Sequence, residues 1–445
     1  MKASRPLQID FASLLRVALP ISLGALVQFF VFLTDNFFLA RLSESAINGA
    51  GNAGLVYLTL QMLSFGSAAA LQIVIARRIG EGRRDLALRT FRSGVGIHLA
   101  IGISLMVIAN LLNQGILGMT IASDAIRAVF EPFLSIRIWG FIPFSIILAF
   151  NALYTGTART WPLLIISGTT AVVNIILDAG WVEGWWGMTA IGANGAAWAS
   201  LVAESLGCGL AILLTALIIP DAFRPWTWLE RMGLKAWWKL AFPLMGQFIT
   251  MIATWTAFFF FVEKVGGLEL KVSHITRNMF MMGFIVVQGM EQTTRTYVSG
   301  LIGENRRHDL HLTLRRIVIL NLSGILLFCH GFVLYPHWLA SAFFDDLEGT
   351  YAMVQTLQVI FIAITIYSLT GIMLATIQGA GATGVAFRVE FIAVSIYMII
   401  AAAMTLWWPQ PIWIIWRVEW VYFSSIGVGS WIYLRRGTWM NAQKS

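Results

Sequence analysis

Runs of twenty or more largely apolar residues divide this chain, and they limit its fold more than any other feature. About 20 helical residues, rising 1.5 Å each, cross a hydrocarbon core roughly 30 Å thick. Lipid offers no partner to an exposed N–H or C=O, so a crossing run must satisfy its own backbone as helix. Composition agrees: 58% of residues are apolar and only 12% charged, against roughly 25% charged in soluble domains. A soluble globule of 445 residues would lack the polar surface to cover itself. The 19 Trp suit the headgroup belts of a bilayer. The chain reads as an all-α integral membrane protein.

The runs predict helices over 14–39, 50–76, 90–112, 129–151, 161–182 and 190–218, then over 237–262, 273–298, 315–337, 351–377, 385–407 and 411–434. These are twelve spans in two bundles of six, with an N-terminal lobe over 1–218, a linker over 219–235 and a C-terminal lobe over 236–445. The first run, Leu14 to Ala40, is too long for the apolar core of a cleaved signal and holds Pro20, Gln28 and Asp35, so it is expected to stay as helix 1. With the N-terminus inside, 22 Lys and Arg fall in inside segments, four outside and four within spans. This bias predicts a multi-pass protein of the cell (inner) membrane with both termini cytoplasmic. The net charge of +8 comes from basic residues that punctuate apolar runs, which argues against nucleic acid as partner. Cys208 and Cys329 lie in apolar stretches without zinc or CxxC spacing and are expected to be buried small side chains.

The two halves repeat at a constant offset of 223 residues. Ala18 and Pro20 return as Ala241 and Pro243, and the loop Ile79-Gly80-Glu81-Gly82-Arg83-Arg84 as Ile302-Gly303-Glu304-Asn305-Arg306-Arg307. Thr90 and Arg92 recur as Thr313 and Arg315, Gly156 and Thr160 as Gly379 and Thr383. Six spans per copy is an even number, so both copies enter the membrane from one side as parallel repeats. Such repeats place a substrate path between halves that rock for alternating access.

Positions that differ between the copies show where the symmetry was broken. Asp35 in helix 1 faces Phe258 in the second copy, while Asn174 and Asp178 in helix 5 face Tyr397 and Ala401. Asn174 and Asp178, four residues apart, share one helix face. Counted from the predicted ends, the two acids lie at matched depth, where Ser200 of helix 6 would add a hydroxyl. A carboxylate within a span must face the bundle interior and find a partner. Two carboxylates that approach each other favour a proton or a cation between them, and Asp, Asn and Ser oxygens suit Na⁺. The blander reading is that acids one turn from a helix end reach the aqueous interface.

In the second half Glu291 and Arg295 are spaced for an i, i+4 pair on helix 8, with Arg277 further out. With Gln28 they are candidates to line a substrate cavity, and an ion pair of purely structural use is the alternative. Glu204 and Glu419 read as single acids without a visible partner, and His98 and His330 as packed, hydrogen-bonded side chains. No HExxH, GxSxG or GxxxxGK occurs, so zinc hydrolase, esterase and P-loop ATPase chemistry lack their motifs. The expectation is a protein that is not an enzyme and carries no cofactor beyond a coupling H⁺ or Na⁺.

Leu15 to Pro20, Thr34-Asp35-Asn36 and Arg41-Leu42 resemble the first helix of the multidrug and toxic compound extrusion (MATE) transporters. Ala76 to Arg84, Gly156 to Pro162, Asn174 to Asp178 and Gly192 to Ser200 are similar to that family's later landmarks. The resemblance implies a V-shaped, twelve-helix fold and export of organic cations and amphipathic compounds driven by H⁺ or Na⁺, in a chain that works as a monomer. It further implies an N-lobe ion site at Asp35, Asn174 and Asp178, with Ser200 where a threonine is usual. A different branch of the family relies on acids in the C-terminal lobe; Glu263 at the end of helix 7 compares with one of these, but helix 10 (351–377) has no acid. A flippase for a lipid-linked oligosaccharide or another lipid is the alternative.

Overall fold

The structure is a computed structural model that describes residues 6–117, 121, 123–223, 234–437 and 439. The described residues contain no strand. Twelve long helices run in chain order: α1 Phe11–Leu42, α2 Glu44–Gly80, α3 Arg84–Leu112, α4 Asp124–Gly156, α5 Trp161–Glu183, α6 Ala193–Ile218, α7 Leu234–Glu263, α8 Gly267–Gly303, α9 Leu310–Cys329, α10 Leu347–Gly379, α11 Thr383–Ala402 and α12 Val418–Arg435. Ten are long and apolar enough to cross a bilayer; α8 and α12 are not in that set. Helix α8 carries Glu269, Lys271, Arg277, Glu291 and Arg295, which dilute its apolar stretch. The expected linker lies largely outside the described residues, which resume at Leu234.

The repeat seen in the sequence is also a repeat of backbone conformation. Gly82 has φ +72° and Asn305, its equivalent, φ +59°. The turn needs a left-handed residue, and Asn is one of the few non-glycine types that adopts it readily. Both turns close alike, with Arg83 N–H donating to Arg78 O and Arg306 N–H to Leu301 O, each at 2.9 Å. A second matched pair is Ala158 (φ +55°) and Gly381 (φ +91°), after α4 and α10.

The chain forms two compact units. One, the N-lobe, holds Leu23–Ile79 and Arg83–Met245; the other, the C-lobe, holds the start of the chain to Ser22, Gly80–Gly82 and Gly246–Ser445. Two of the unit boundaries thus fall inside α1 and α7, each two residues after the proline that the helix accommodates (Pro20, Pro243). A proline removes one helical hydrogen bond and eases a change of direction. Two glycines seat these half-helices in equivalent ways. In the N-lobe a Cβ on Gly66 would fall 2.5 Å from the Met245 backbone, and in the C-lobe one on Gly289 would collide with Ser22. Gly66 and Gly289 are 223 apart, as are Ser22 and Met245.

Within the N-lobe, Phe38, Ala53, Tyr57, Leu105, Phe130, Leu134, Phe141 and Val182 make one buried cluster. In the C-lobe, Leu357, Ile360 and Ile364 of α10 pack among Phe280, Ile325, Tyr397 and Phe423. Helices α4 and α10 occupy equivalent, mostly buried places in their lobes. Cys208 and Cys329 are free and buried, as expected. At the start of the C-lobe, the stretch before α1 is held by side chains. Leu7 N–H donates to Glu304 Oε1 (2.9 Å), while Arg306 donates to Leu7 O (2.8 Å) and Arg316 to Ile9 O (3.0 Å).

Candidate functional site

Helix α5 begins with Pro162 in its first turn, where a missing N–H costs nothing, and ends at Gly184 with φ +80°. It therefore runs to Glu183, and α1 runs to Leu42, three residues past the end predicted for helix 1. Asp35 consequently sits seven residues from the end of α1 and Asp178 five from the end of α5, deeper than the sequence reading placed them. Against the blander reading, acids that reach the aqueous interface from near a helix end, stands the burial of Asp178 within the lobe.

The structure brings Asp35 and Asp178 together. Their carboxylates lie within hydrogen-bonding reach of one another. Asp178 is 0% exposed and Asn174 1%, while Asp35 is half-buried. Neither Asp178 oxygen nor Asp35 Oδ1 meets a donor, and Asn174 Oδ1 is also without a partner. Asn174 Nδ2 donates to Ser200 Oγ at 3.4 Å, which leaves the amide oxygen free. Neighbouring polar groups do not compete, because Thr34 and Asn36 bond back to Val31 O and Phe32 O of their own helix. Four buried oxygens on two helices thus lack a donor. Gln28 is exposed two turns before Asp35 and is not part of this cluster.

One turn of α6 beyond Ser200 lies Glu204, which is not a single acid without a partner. Arg137 grips it in both arms, Nη2 to Oε1 at 2.9 Å and Nη1 to Oε2 at 3.1 Å, and Tyr57 OH donates to Oε2 at 3.2 Å. The guanidinium also lies 4.1 Å over the Tyr57 ring. Local backbone makes this possible. Helix α4 tightens into a 3₁₀ turn at Ile138–Gly140, and a Cβ on Gly140 would fall 2.5 Å from Glu204 and 2.6 Å from Tyr57 OH. Arg137 is electrostatically coupled to both Asp35 and Asp178, yet its hydrogen bonds go to Glu204. Three acids and one arginine gather here, and the arginine is matched by Glu204. Asp35 and Asp178 are left without a cation of their own.

Sequence reasoning missed this arginine and its partners, although its own test of broken symmetry flags all three. Tyr57, Arg137 and Glu204 stand opposite Phe280, Ile360 and Gly427. In the C-lobe the expected i, i+4 contact on α8 is replaced by contacts off the helix. Arg295 donates to Gln378 of α10 at 3.0 Å, and Glu291 meets Tyr367 while feeling Arg295 electrostatically. Glu419 accepts from Tyr397 OH at 3.0 Å, which corrects its reading as an acid without a partner. Arg277 lies over the ring of Phe259. His98 is packed and bonded as expected, to Gly94 O (2.8 Å) and Ser67 Oγ (3.1 Å).

Two repeated helical lobes, each built on long apolar helices with buried acids held inside, have the architecture of a multi-pass membrane transporter. The profile of the MatE family matches residues 20–179 and 243–407, most of both halves. The chain belongs to the MatE family of transporters. It is 24% identical over 447 residues to a probable multidrug resistance protein NorM of Bradyrhizobium diazoefficiens, covering 97% of this chain and 91% of that one. To a probable NorM of Thermotoga maritima it is 24% identical over 346 residues, 75% of this chain and 72% of the relative. Among solved structures, a MOP superfamily transporter from Pyrococcus furiosus superposes with a TM-score of 0.87 at 16% identity, over 99% of both chains.

Proposed function

We propose that this chain is a secondary antiporter that exports organic cations and amphipathic compounds in exchange for H⁺ or Na⁺, with the ion held at Asp35, Asn174 and Asp178. The observation that carries the reading is the Asp35–Asp178 pair, two carboxylates within hydrogen-bonding reach with three of their oxygens unserved by any donor. Two unit charges about 4 Å apart in a medium of effective dielectric near 20 repel by about 4 kcal/mol. One proton shared between them, or one Na⁺ among the carboxylates, Asn174 Oδ1 and Ser200 Oγ, removes that repulsion. The NorM relatives, known as probable multidrug resistance proteins, support drug export as the class of activity.

Coupling follows from charge. Without the ion, the N-lobe presents two negative charges that attract a cationic amphiphile; with it, one of the two is cancelled, the attraction weakens and the compound leaves. Such exchange works only if ion and compound bind the two transport states with different affinity. The same proposal places the protein in the cell membrane as a monomer with both termini cytoplasmic. The test uses sealed proteoliposomes and a fluorescent organic cation, under an imposed pH gradient or an imposed Na⁺ gradient, without ATP. Movement under one gradient that is lost in Asp35→Asn and in Asp178→Asn is expected. Unimpaired transport by both variants would overturn the assignment of the site.

A further inference from the structure

The N-lobe reading leaves a second set of buried polar side chains unused, wholly inside the C-lobe. Glu390 of α11 is 3% exposed and Glu419 of α12 is 1% exposed. Around Glu390 stand Tyr422 and Glu419 of α12, Tyr367 and Gln378 of α10, Glu291 and Arg295 of α8, Gln247 of α7, and Tyr397 of its own helix. Arg388, also on α11, turns back to Gly384 O instead.

We infer that the C-lobe carries a second proton-binding site, centred on Glu390 and independent of the Asp35–Asp178 pair. The direction of its hydrogen bonds is fixed by chemistry. Arginine can only donate, so Arg295 Nη1 bonds Gln378 Oε1 (3.0 Å), and Gln378 Nε2 must then donate to Gln247 Oε1 (3.0 Å). What remains of Gln247 is its N–H₂ group, which meets Glu390. Tyr422 OH donates to Glu390 Oε1 as well. The carboxylate thus has two neutral donors, Tyr422 OH and Gln247 Nε2, and no cation beside it; two such donors stabilise an anion less than a counter-charge would, and a proton is the ligand that removes the buried charge.

A charge count gives the proton its reason. Arg295 is the only arginine in the network and is matched by Glu291 at its side. Gly371 leaves room for that carboxylate, since a Cβ there would collide with Glu291 Oε1. Glu390 and Glu419 then have neutral partners only, and Glu419 Oε2 has no partner at all. Buried carboxylates without a cation are strongly disfavoured as anions in a lipid-surrounded lobe. A proton taken from water binds the other carboxyl oxygen of Glu390 and converts it to the neutral acid, while Tyr422 OH goes on donating to Oε1. The ring contact between Tyr397 and Tyr422 (centroids 5.4 Å apart) places Glu419 beside this step. The equivalents of Gln247, Glu390, Glu419 and Tyr422 in the first half are Gly24, Ser167, Ala196 and Ala199, so the N-lobe has no copy.

The test is infrared spectroscopy of the purified full chain in lipid nanodiscs, following the C=O stretch of protonated carboxyl groups through a pH titration. The double variant Asp35→Asn/Asp178→Asn should keep a titrating Glu390 carboxyl band beside that of Glu419, and adding Glu390→Gln should remove the first and leave the second. Tyr422→Phe, which keeps the volume and removes one donor, should keep the band and shift both its frequency and its titration midpoint. Addition of Na⁺ at fixed pH should leave it in place. No band in the double variant, a band unmoved by both Glu390→Gln and Tyr422→Phe, or displacement by Na⁺ would each overturn the proposal. Failure of the N-lobe assignment reads out separately, as transport retained by the Asp35 and Asp178 variants.

Discussion

Replacing Glu204 by Gln cuts the charge from a buried ion pair in the N-lobe while keeping an acceptor for Tyr57. Both partners are nearly buried, their side chains 10% and 13% exposed, and the pair is bidentate. An exposed pair would contribute at most about 1 kcal/mol, but leaving one buried charge without its partner costs about 3–5 kcal/mol. That is a loss of roughly 10²- to 10⁴-fold in the folded-to-unfolded ratio at 1.4 kcal/mol per decade. Because the guanidinium is coupled to Asp35 and Asp178, an Arg137 freed from Glu204 should also act as their counter-charge. The coupling ion would then bind more weakly. Arg137→Gln/Glu204→Gln removes both charges and should recover most of the stability, because coupled sites are not additive. Thermal unfolding in detergent supplies the stability cycle, and ion-activation curves of transport supply the second readout. A Glu204→Gln loss below about 0.5 kcal/mol, typical of surface substitutions, or a double variant with the sum of both single losses, would refute the reasoning.

Other consequences follow from the packing. Gly66→Ala and Gly289→Ala each push a methyl into a neighbouring half-helix, and each should destabilise by about 1–3 kcal/mol. Gly54→Ala, with nothing within 4 Å of its Cβ, should be neutral or stabilising by up to about 1 kcal/mol; equal melting temperatures for all three would contradict the reciprocal seating. Arg306→Ala loses ion pairs to Glu304 (2.8 Å) and Asp309 (2.7 Å) and a hydrogen bond to Leu7 O. It should speed proteolytic cleavage ahead of α1 without lowering the yield of folded protein, and an unchanged cleavage rate would show that the contact does not hold this stretch.

Much of the fold was legible because its signals are local and repeated. Apolar run length gives the helices, and the loop at Gly82 and Asn305 keeps its left-handed turn in both copies. Less visible was the exchange of helix starts, since a break in contacts two residues after Pro20 and Pro243 leaves no mark beyond the prolines themselves. In the site, comparing the halves found Asp35, Asn174 and Asp178, whose types change between copies. The same comparison also holds Arg137 and Glu204, but they lie 67 residues apart on α4 and α6, and only packing brings them together. Spacing misled on Glu291 and Arg295, because one helical turn brings two charges near without requiring that they bond. Glu390 was passed over altogether. A single acid seven residues past a helix start gives no sign of a partner, and its donors come from α7 and α12.

The central claim is that ion and compound compete through the Asp35–Asp178 pair, and the flow of ions under a substrate gradient tests it most directly. Proteoliposomes are loaded with a reporter for H⁺ or Na⁺, and a gradient of an organic cation is imposed with no ion gradient. The wild-type protein should move the ion against the compound, while Asp178→Asn should let the compound pass with no ion movement. Ion movement of wild-type size in Asp178→Asn would contradict the account.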